Sequence, residues 1–386
     1  MAFGIYVHIP YCIQRCSYCD FATYEKSSIL PPSEYIEFVK KEIRAYGPLL
    51  TDQKVDTIYF GGGTPSLVEA DLLISILKEL KGQGFQFSKN IEITIEINPA
   101  TIDERKLDLY LENGINRFSV GAQTFRDDLL KRVGREHDSL DTRKTLEILA
   151  RRGLNYTFDL LFALPGQSIP DLTNDLEIVR AFSPSHLSAY CLTVPEGHPL
   201  AKVRLPESEQ IEMFKLIETE LAKMGLFRYE ISNFARPQYE SRHNMIYWTD
   251  ENYWGIGLSA HSYIKNKNWG QRFWNPNNIQ QYLSKIKALP ETITSVVDGR
   301  NSDQFESLTE NQSLTDFCHT FLRTMRGLSL GELEAKFGSA REKQLKEILV
   351  QLQTRGLIEE KDNRWRLTSD GVLVSNHVFE FCTFLD

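Results

Sequence analysis

Two hydrophobic rhythms alternate along the chain. Short β-branched and aromatic runs at 4–9, 55–60, 91–97, 115–120, 156–161 and 186–192 have the length and continuity of strands covered on both faces. Each is followed by a segment with helical spacing, at 33–46, 66–80, 103–113, 127–151, 169–182 and 207–224. In the first of these, Ile36, Val39, Ile43 and Tyr46 recur at three and four residues and make one apolar stripe. Ser66-Leu-Val-Glu69 reads as a capping box opening the second helix, and Gly47, Gly82, Gly114, Gly153 and Gly225 stand where helices stop. Six strand–helix units in series imply parallel strands joined by right-handed crossovers. They are too few to close an eight-fold barrel, so the predicted α/β architecture is an open, partial (βα)6 barrel over residues 1–225.

The rhythm then changes twice. Residues 226–300 form an aromatic-rich extension containing Tyr247, Trp248, Tyr253, Trp254, Trp269, Phe273 and Trp274. Residues 301–386 read as three helices (314–325, 330–337, 341–355), a small hairpin turning at Asp362-Asn363, and a last helix capped by Thr368, together a winged-helix-like module. Such modules are structural or bind DNA. This one holds ten Lys and Arg against fourteen Asp and Glu, which favours the structural role.

Composition narrows the class. Of 386 residues, 41% are hydrophobic and 25% charged, as in a globular protein, and the net charge of −8 opposes a general phosphate grip. No nucleic-acid partner is expected. No apolar run reaches the roughly 20 residues of a membrane span, so membrane proteins would be met only peripherally. The start of the chain lacks a basic region followed by an apolar one, which predicts no secretion signal and a cytoplasmic location.

Candidate chemistry begins with three cysteines in eight residues. Cys12-x3-Cys16-x2-Cys19 directly follows the first predicted strand, and soft thiolates at such spacing suit zinc or an iron–sulfur cluster. Zinc wants a fourth protein ligand, and position 21 is Phe; Cys191, Cys318 and Cys382 are distant and isolated. Three thiolates instead suit a cubane with one open iron. Polar or glycine features then end successive strands: Gly61-Gly-Gly-Thr-Pro65, Glu96 with Asn98, Ser119 to Gln123 with Arg135 beyond, and Asp159. Each alone could be a turn, a helix cap or a surface ion pair. Together they mark the strand C-termini, where parallel barrels build their sites.

These residues carry a resemblance. Cys12-x3-Cys16-x2-Cys19 with the aromatic Tyr18, and Gly61-Gly-Gly-Thr-Pro65, resemble the signatures of the radical S-adenosylmethionine superfamily. Tyr6-x-His8-Ile-Pro10 in front narrows the likeness to the branch of the oxygen-independent coproporphyrinogen III dehydrogenases of porphyrin biosynthesis. The resemblance implies a 4Fe–4S cluster on Cys12, Cys16 and Cys19, with S-adenosylmethionine on the fourth iron and an electron donor that reduces the cluster. It implies cofactor contacts from Tyr6, Tyr18, Gly62, Gly63, Thr64, Glu96, Gln123, Arg135 and Asp159.

The chain departs from those dehydrogenases in two ways. They carry a further cysteine where Phe21 stands, and a long extension ahead of the cluster, whereas eleven residues precede Cys12 here. Both features are similar instead to the sister group of heme chaperones, HemW, whose H-N-x-x-Y-W motif matches His243-Asn244-Met-Ile-Tyr247-Trp248. That implies heme as ligand and a heme-accepting protein, such as a respiratory cytochrome, as partner, with no dehydrogenase activity. The decarboxylating dehydrogenase is the alternative. His243 is the candidate axial ligand, with Arg236 and Arg242 for the propionates; structural hydrogen bonding explains His243 equally well, and is the expected role of His8, His137 and His319.

Overall fold

The computed structural model of the chain describes residues 2–266, 268–290 and 293–386. The six expected strands are β1 (Phe3–Ile9), β2 (Val55–Gly62), β3 (Phe87–Ile97), β4 (Arg117–Gln123), β5 (Tyr156–Phe162) and β6 (His186–Cys191). They pair in sequence order, all parallel. Their crossover helices are α1 (Pro32–Tyr46), α2 (Ala70–Gly82), α3 (Glu104–Glu112), a broken pair α4 (Asp127–Arg132) and α5 (Ser139–Arg151), and α6 (Ile169–Phe182); α7 (Glu207–Lys223) follows β6. The stripe on α1 is fully buried, with Ile36, Val39, Ile43 and Tyr46 all at 0% exposure.

Three local expectations differ. Ser66 does not cap α2: residues Pro65–Leu67 form a 3-10 turn, Glu69 is the N-cap, and the Ser66 hydroxyl lies 2.6 Å from that of Thr101. The tertiary partner wins over the local one because Ser66 is completely buried. Gly114, Gly153 and Gly225 do take positive φ after their helices, but Gly47 stays right-handed and Gly82 is the last helical residue. The predicted helix 127–151 breaks at Gly134 (φ 76°), a break with consequences for the site.

The aromatic-rich extension is not a separate body. β7 (Phe227–Glu230) and β8 (Asn233–Ala235) add antiparallel strands beside β6. After α8 (Arg242–Trp248), β9 (Asn252–Ile256) pairs parallel to β1, and β10 (His261–Ile264), β11 (Gln271–Trp274) and, beyond α9 (Ile279–Lys287), β12 (Phe305–Ser307) continue antiparallel. The result is one 12-stranded sheet, and its apolar core runs from Phe3 to Ile293. Buried Glu42 of α1 ties the extension in, accepting from the Gly257 N–H, the Asn275 amide and the Tyr282 hydroxyl.

The C-terminal module has its own core, from Leu314 to Cys382. It comprises α10 (Glu310–Arg323), α11 (Leu330–Phe337), α12 (Ser339–Thr354), the hairpin β13 (Ile358–Lys361) and β14 (Arg364–Leu367), and short helices α13 (Ser369–Leu373) and α14 (Ser375–Phe381). Asp362 and Asn363 both take left-handed φ, as a tight hairpin turn requires, and Thr368 caps α13. No helix among the described residues is long and apolar enough to cross a membrane.

Candidate functional site: a cavity along the barrel axis

Parallel strands point alternate side chains into the barrel, and the loops after their C-termini close over the top. A cavity of about 430 Å³ fills this space. Eleven of the sequence-predicted residues line it: Cys12, Cys16, Tyr18, Cys19, Gly62, Gly63, Thr64, Glu96, Gln123, Arg135 and Asp159.

The thiol loop is held in place from three sides. Tyr11–Cys12 makes a short parallel pairing with Tyr24–Glu25. The Arg15 guanidinium donates to the Cys19 carbonyl at 3.0 Å. The Ser17 N–H donates to the Val133 carbonyl at 3.2 Å, on the helix break. Among the described residues no group of three His, Cys, Asp or Glu converges as on a single metal ion. All three thiols line the cavity, and three soft thiolates suit a multi-iron cluster.

The glycine turn after β2 lies against this loop. A Cβ on Gly63 would sit 2.6 Å from the Tyr11 carbonyl oxygen, so only glycine allows the approach. The Gly63 and Thr64 N–H groups donate to the Ile9 and Tyr11 carbonyls. Beneath it, Glu96 accepts from the Tyr59 hydroxyl (2.9 Å) and the Gly62 N–H (3.1 Å). Burial, with Asp159 nearby, pushes the Glu96 carboxyl up to about 7; burial raises Asp159 as well.

The break at Gly134 directs Arg135 inward. Its guanidinium donates to Asn98 Oδ1 (2.6 Å) and the Gly121 carbonyl (2.8 Å) and reaches Cys16 Sγ at 3.6 Å. His137 packs behind, its Nδ1 3.1 Å from the same Asn98 oxygen, and burial lowers it to about 4. His8 and His319 also make internal hydrogen bonds, His8 to Tyr6 and the Ala22 carbonyl, His319 to the Phe379 carbonyl.

Tyr6 and His243 do not line the cavity. Tyr6 is half-buried in the barrel wall with its hydroxyl 3.0 Å from His8 Nδ1. His243 lies in α8, which packs across the beginnings of the strands and stoppers the barrel from below. It is 1% exposed, and both ring nitrogens are engaged: Nδ1 with the Thr57 hydroxyl at 2.7 Å, Nε2 with the Tyr247 hydroxyl at 2.8 Å. Burial lowers its pKa to about 3, so the ring is neutral. In this conformation its role is structural, the plainer of the two expectations. Arg236 and Arg242 also point elsewhere, to Ser183 and to Asn90 and Asp56. From the H-N-x-x-Y-W segment it is Asn244 that reaches the cavity.

Sequence reasoning missed Tyr59, Arg117, His186, Ser188 and Tyr190, all of which line the cavity. A signal was present: Arg117, Ser119 and Gly121, like His186, Ser188 and Tyr190, are polar or small at every second position of a strand. The residue set fits an iron–sulfur cluster and S-adenosylmethionine on the structure's own terms. Thiols, a glycine turn with no room for a Cβ, and two buried acids suited to a cationic ligand share one cavity.

Comparison with known proteins adds the relatives. A model of the radical SAM superfamily matches residues 6–179, and the HemN C-terminal domain model matches residues 308–374. The heme chaperone HemW of Bacillus subtilis (strain 168) is 32% identical over 97% of this chain and 97% of its own length. HemW of Lactococcus lactis subsp. lactis (strain IL1403) is 33% identical over 97% and 96%, and that of Escherichia coli (strain K12) 32% identical over 68% and 70%. Coproporphyrinogen III oxidase (HemN) from Escherichia coli, a radical SAM enzyme, superposes with a TM-score of 0.83 at 22% identity, covering 100% of this chain and 91% of that one.

Proposed function

The chain belongs to the HemW family of radical SAM proteins, and from that premise we propose that it binds heme and passes it to an acceptor protein such as a respiratory cytochrome. In this reading Cys12, Cys16 and Cys19 hold a 4Fe–4S cluster. Gly62, Gly63, Thr64, Glu96, Gln123, Arg135 and Asp159 hold S-adenosylmethionine beside it. Bound together, the pair supplies one-electron chemistry at the sulfonium. The chain's own part is positional: Arg135 steadies the thiolate side, Glu96 and Asp159 meet a cationic ligand, and the barrel wall excludes water.

The observation that carries the chaperone reading is the mouth of the cavity. Phe21, where the resembled dehydrogenases carry cysteine, is 63% exposed, and Ile13 beside it is 47% exposed. An open apolar rim above the thiol loop suits a flat apolar ligand that must leave again. His243 becomes an iron ligand only after its ring leaves the Thr57 and Tyr247 hydroxyls. Tyr18 packs against the cofactor, and Tyr6 acts one step back, stacked on the cavity-lining Tyr59.

The test is anaerobic reconstitution followed by two separate assays. Hemin should give a Soret band at about one heme per chain. Coproporphyrinogen III should release no carbon dioxide beyond background, with a dehydrogenase assayed alongside. Turnover comparable to that enzyme would replace this reading with the oxidative decarboxylase.

A further inference from the structure

The two ends of the cavity differ in their charge pairing. At the mouth, the Arg135 guanidinium donates to Asn98 and Gly121 and reaches Cys16 Sγ, with only its Nε left unpartnered. At the floor, Arg117 opens β4, lines the cavity and is 3% exposed. Its guanidinium makes no hydrogen bond or ion pair with any described residue. An uncompensated buried cation costs several kcal/mol, so such a group needs a partner from somewhere. No carboxylate oxygen of a described residue lies within ion-pairing distance of it: Asp159 feels its charge only from farther off, and Glu96 is taken by the Tyr59 hydroxyl and the Gly62 N–H. The side chains around Arg117 also have spare capacity. The Asn244 amide, which lines the same cavity, makes no hydrogen bond with any described residue; Asn244 engages its backbone N–H, on Ser241 Oγ.

We propose that the cavity floor is a carboxylate subsite, with Arg117 as its counter-charge and the Asn244 amide as its second donor. A planar guanidinium and an unengaged amide lining one cavity can together meet the two oxygens of a carboxylate. The subsite deepens the function proposed above, on which it rests for its ligands. Two ligands could bring the carboxylate: a heme propionate, or the amino-acid end of an S-adenosylmethionine held apart from the open iron, since a molecule chelating that iron has its carboxylate committed there. It also gives the H-N-x-x-Y-W segment a polar contribution to the cavity that its imidazole does not make.

The test uses the reconstituted full-length protein, as wild type, Arg117→Met and Arg117→Lys. Each is melted without ligand and titrated with hemin and hemin dimethyl ester, and with S-adenosylmethionine and its decarboxylated analogue. Without ligand, Arg117→Met should melt a few degrees higher, because an unpaired charge has been removed. Wild type should prefer the carboxylate member of one pair by roughly 10- to 100-fold, the value of a charged hydrogen-bonded contact. Arg117→Met should lose that preference and Arg117→Lys keep part of it; the pair affected names the source. A ligand-free Arg117→Met that melts no higher than wild type overturns the subsite, as does a wild type indifferent within both pairs. If hemin fails to bind at all, the chaperone reading falls, while the ligand-free melt and the S-adenosylmethionine pair still decide the subsite.

Discussion

Two buried ionisable residues set most of the site's response to mutation and pH. His243 fills the barrel floor and bridges Thr57 to Tyr247. His243→Ala loses both hydrogen bonds and leaves a cavity, a cost of about 2–4 kcal/mol in urea unfolding of the ligand-free protein. A variant as stable as wild type would remove the structural assignment. Glu96 gives the pH dependence. Its folded value of about 7 lies above the ordinary carboxyl value, so the folded state holds a proton that the unfolded chain has lost. Its contribution is therefore complete below about pH 4.5 and is lost as pH rises through about 7. Glu96→Gln should flatten that segment of the stability curve. A cationic ligand prefers the ionised carboxyl, so S-adenosylmethionine should bind wild type more tightly as pH rises across the same range, and Glu96→Gln should show no such trend.

At the scale of elements, the break between α4 and α5 and the turn after β2 do what the regular elements cannot. Both bring backbone against the thiol loop. Gly63→Ala would press a methyl group on the Tyr11 carbonyl, costing about 1–3 kcal/mol and displacing Cys12. Iron and sulfide analysis of the reconstituted variant should show a lowered cluster content, whereas Gly153→Ala, whose added methyl meets nothing within 4 Å, should keep its cluster. The six strands were legible because continuous β-branched runs have few alternatives. The 127–151 break was passed over because apolar spacing runs on through Leu129, Leu130 and Val133, although Gly134 takes a left-handed φ and Asp138 with Asp141 forms a capping box that opens α5; Ser17 on the Val133 carbonyl adds the tertiary contact. The thiols and glycines were legible as a local motif. Arg117 was not, because its importance comes from what surrounds it in three dimensions rather than from its neighbours in sequence.

For the whole molecule, the question is how the C-terminal module communicates with the barrel. It docks on the far side of α8. Arg323 of α10 stacks on the Trp248 ring at 4.5 Å and pairs with buried Glu230 at 3.0 Å. Lys336 pairs with Asp250 at 2.8 Å, and Trp269 stacks on Phe337. Removing Arg323 strands a carboxylate whose side chain is 1% exposed, so Arg323→Ala should destabilise the chain by roughly 3 kcal/mol. It should also expose the segment between the two cores to limited proteolysis; a digestion pattern equal to wild type would show that the pair does not hold the module.

The stopper formed by α8 also governs traffic. A tube sealed at one end fills and empties in a fixed order. Whatever rests on Arg117 and Asn244 at the bottom has to arrive before the space beside the cysteines is taken, and it is trapped until that space clears. Association should thus be sequential, the second arrival slowing the departure of the first, and a bulky occupant at the Phe21 rim would act as a cork. Release to a recipient then becomes a matter of which occupant moves first, so the timing of delivery is written into the shape of the barrel.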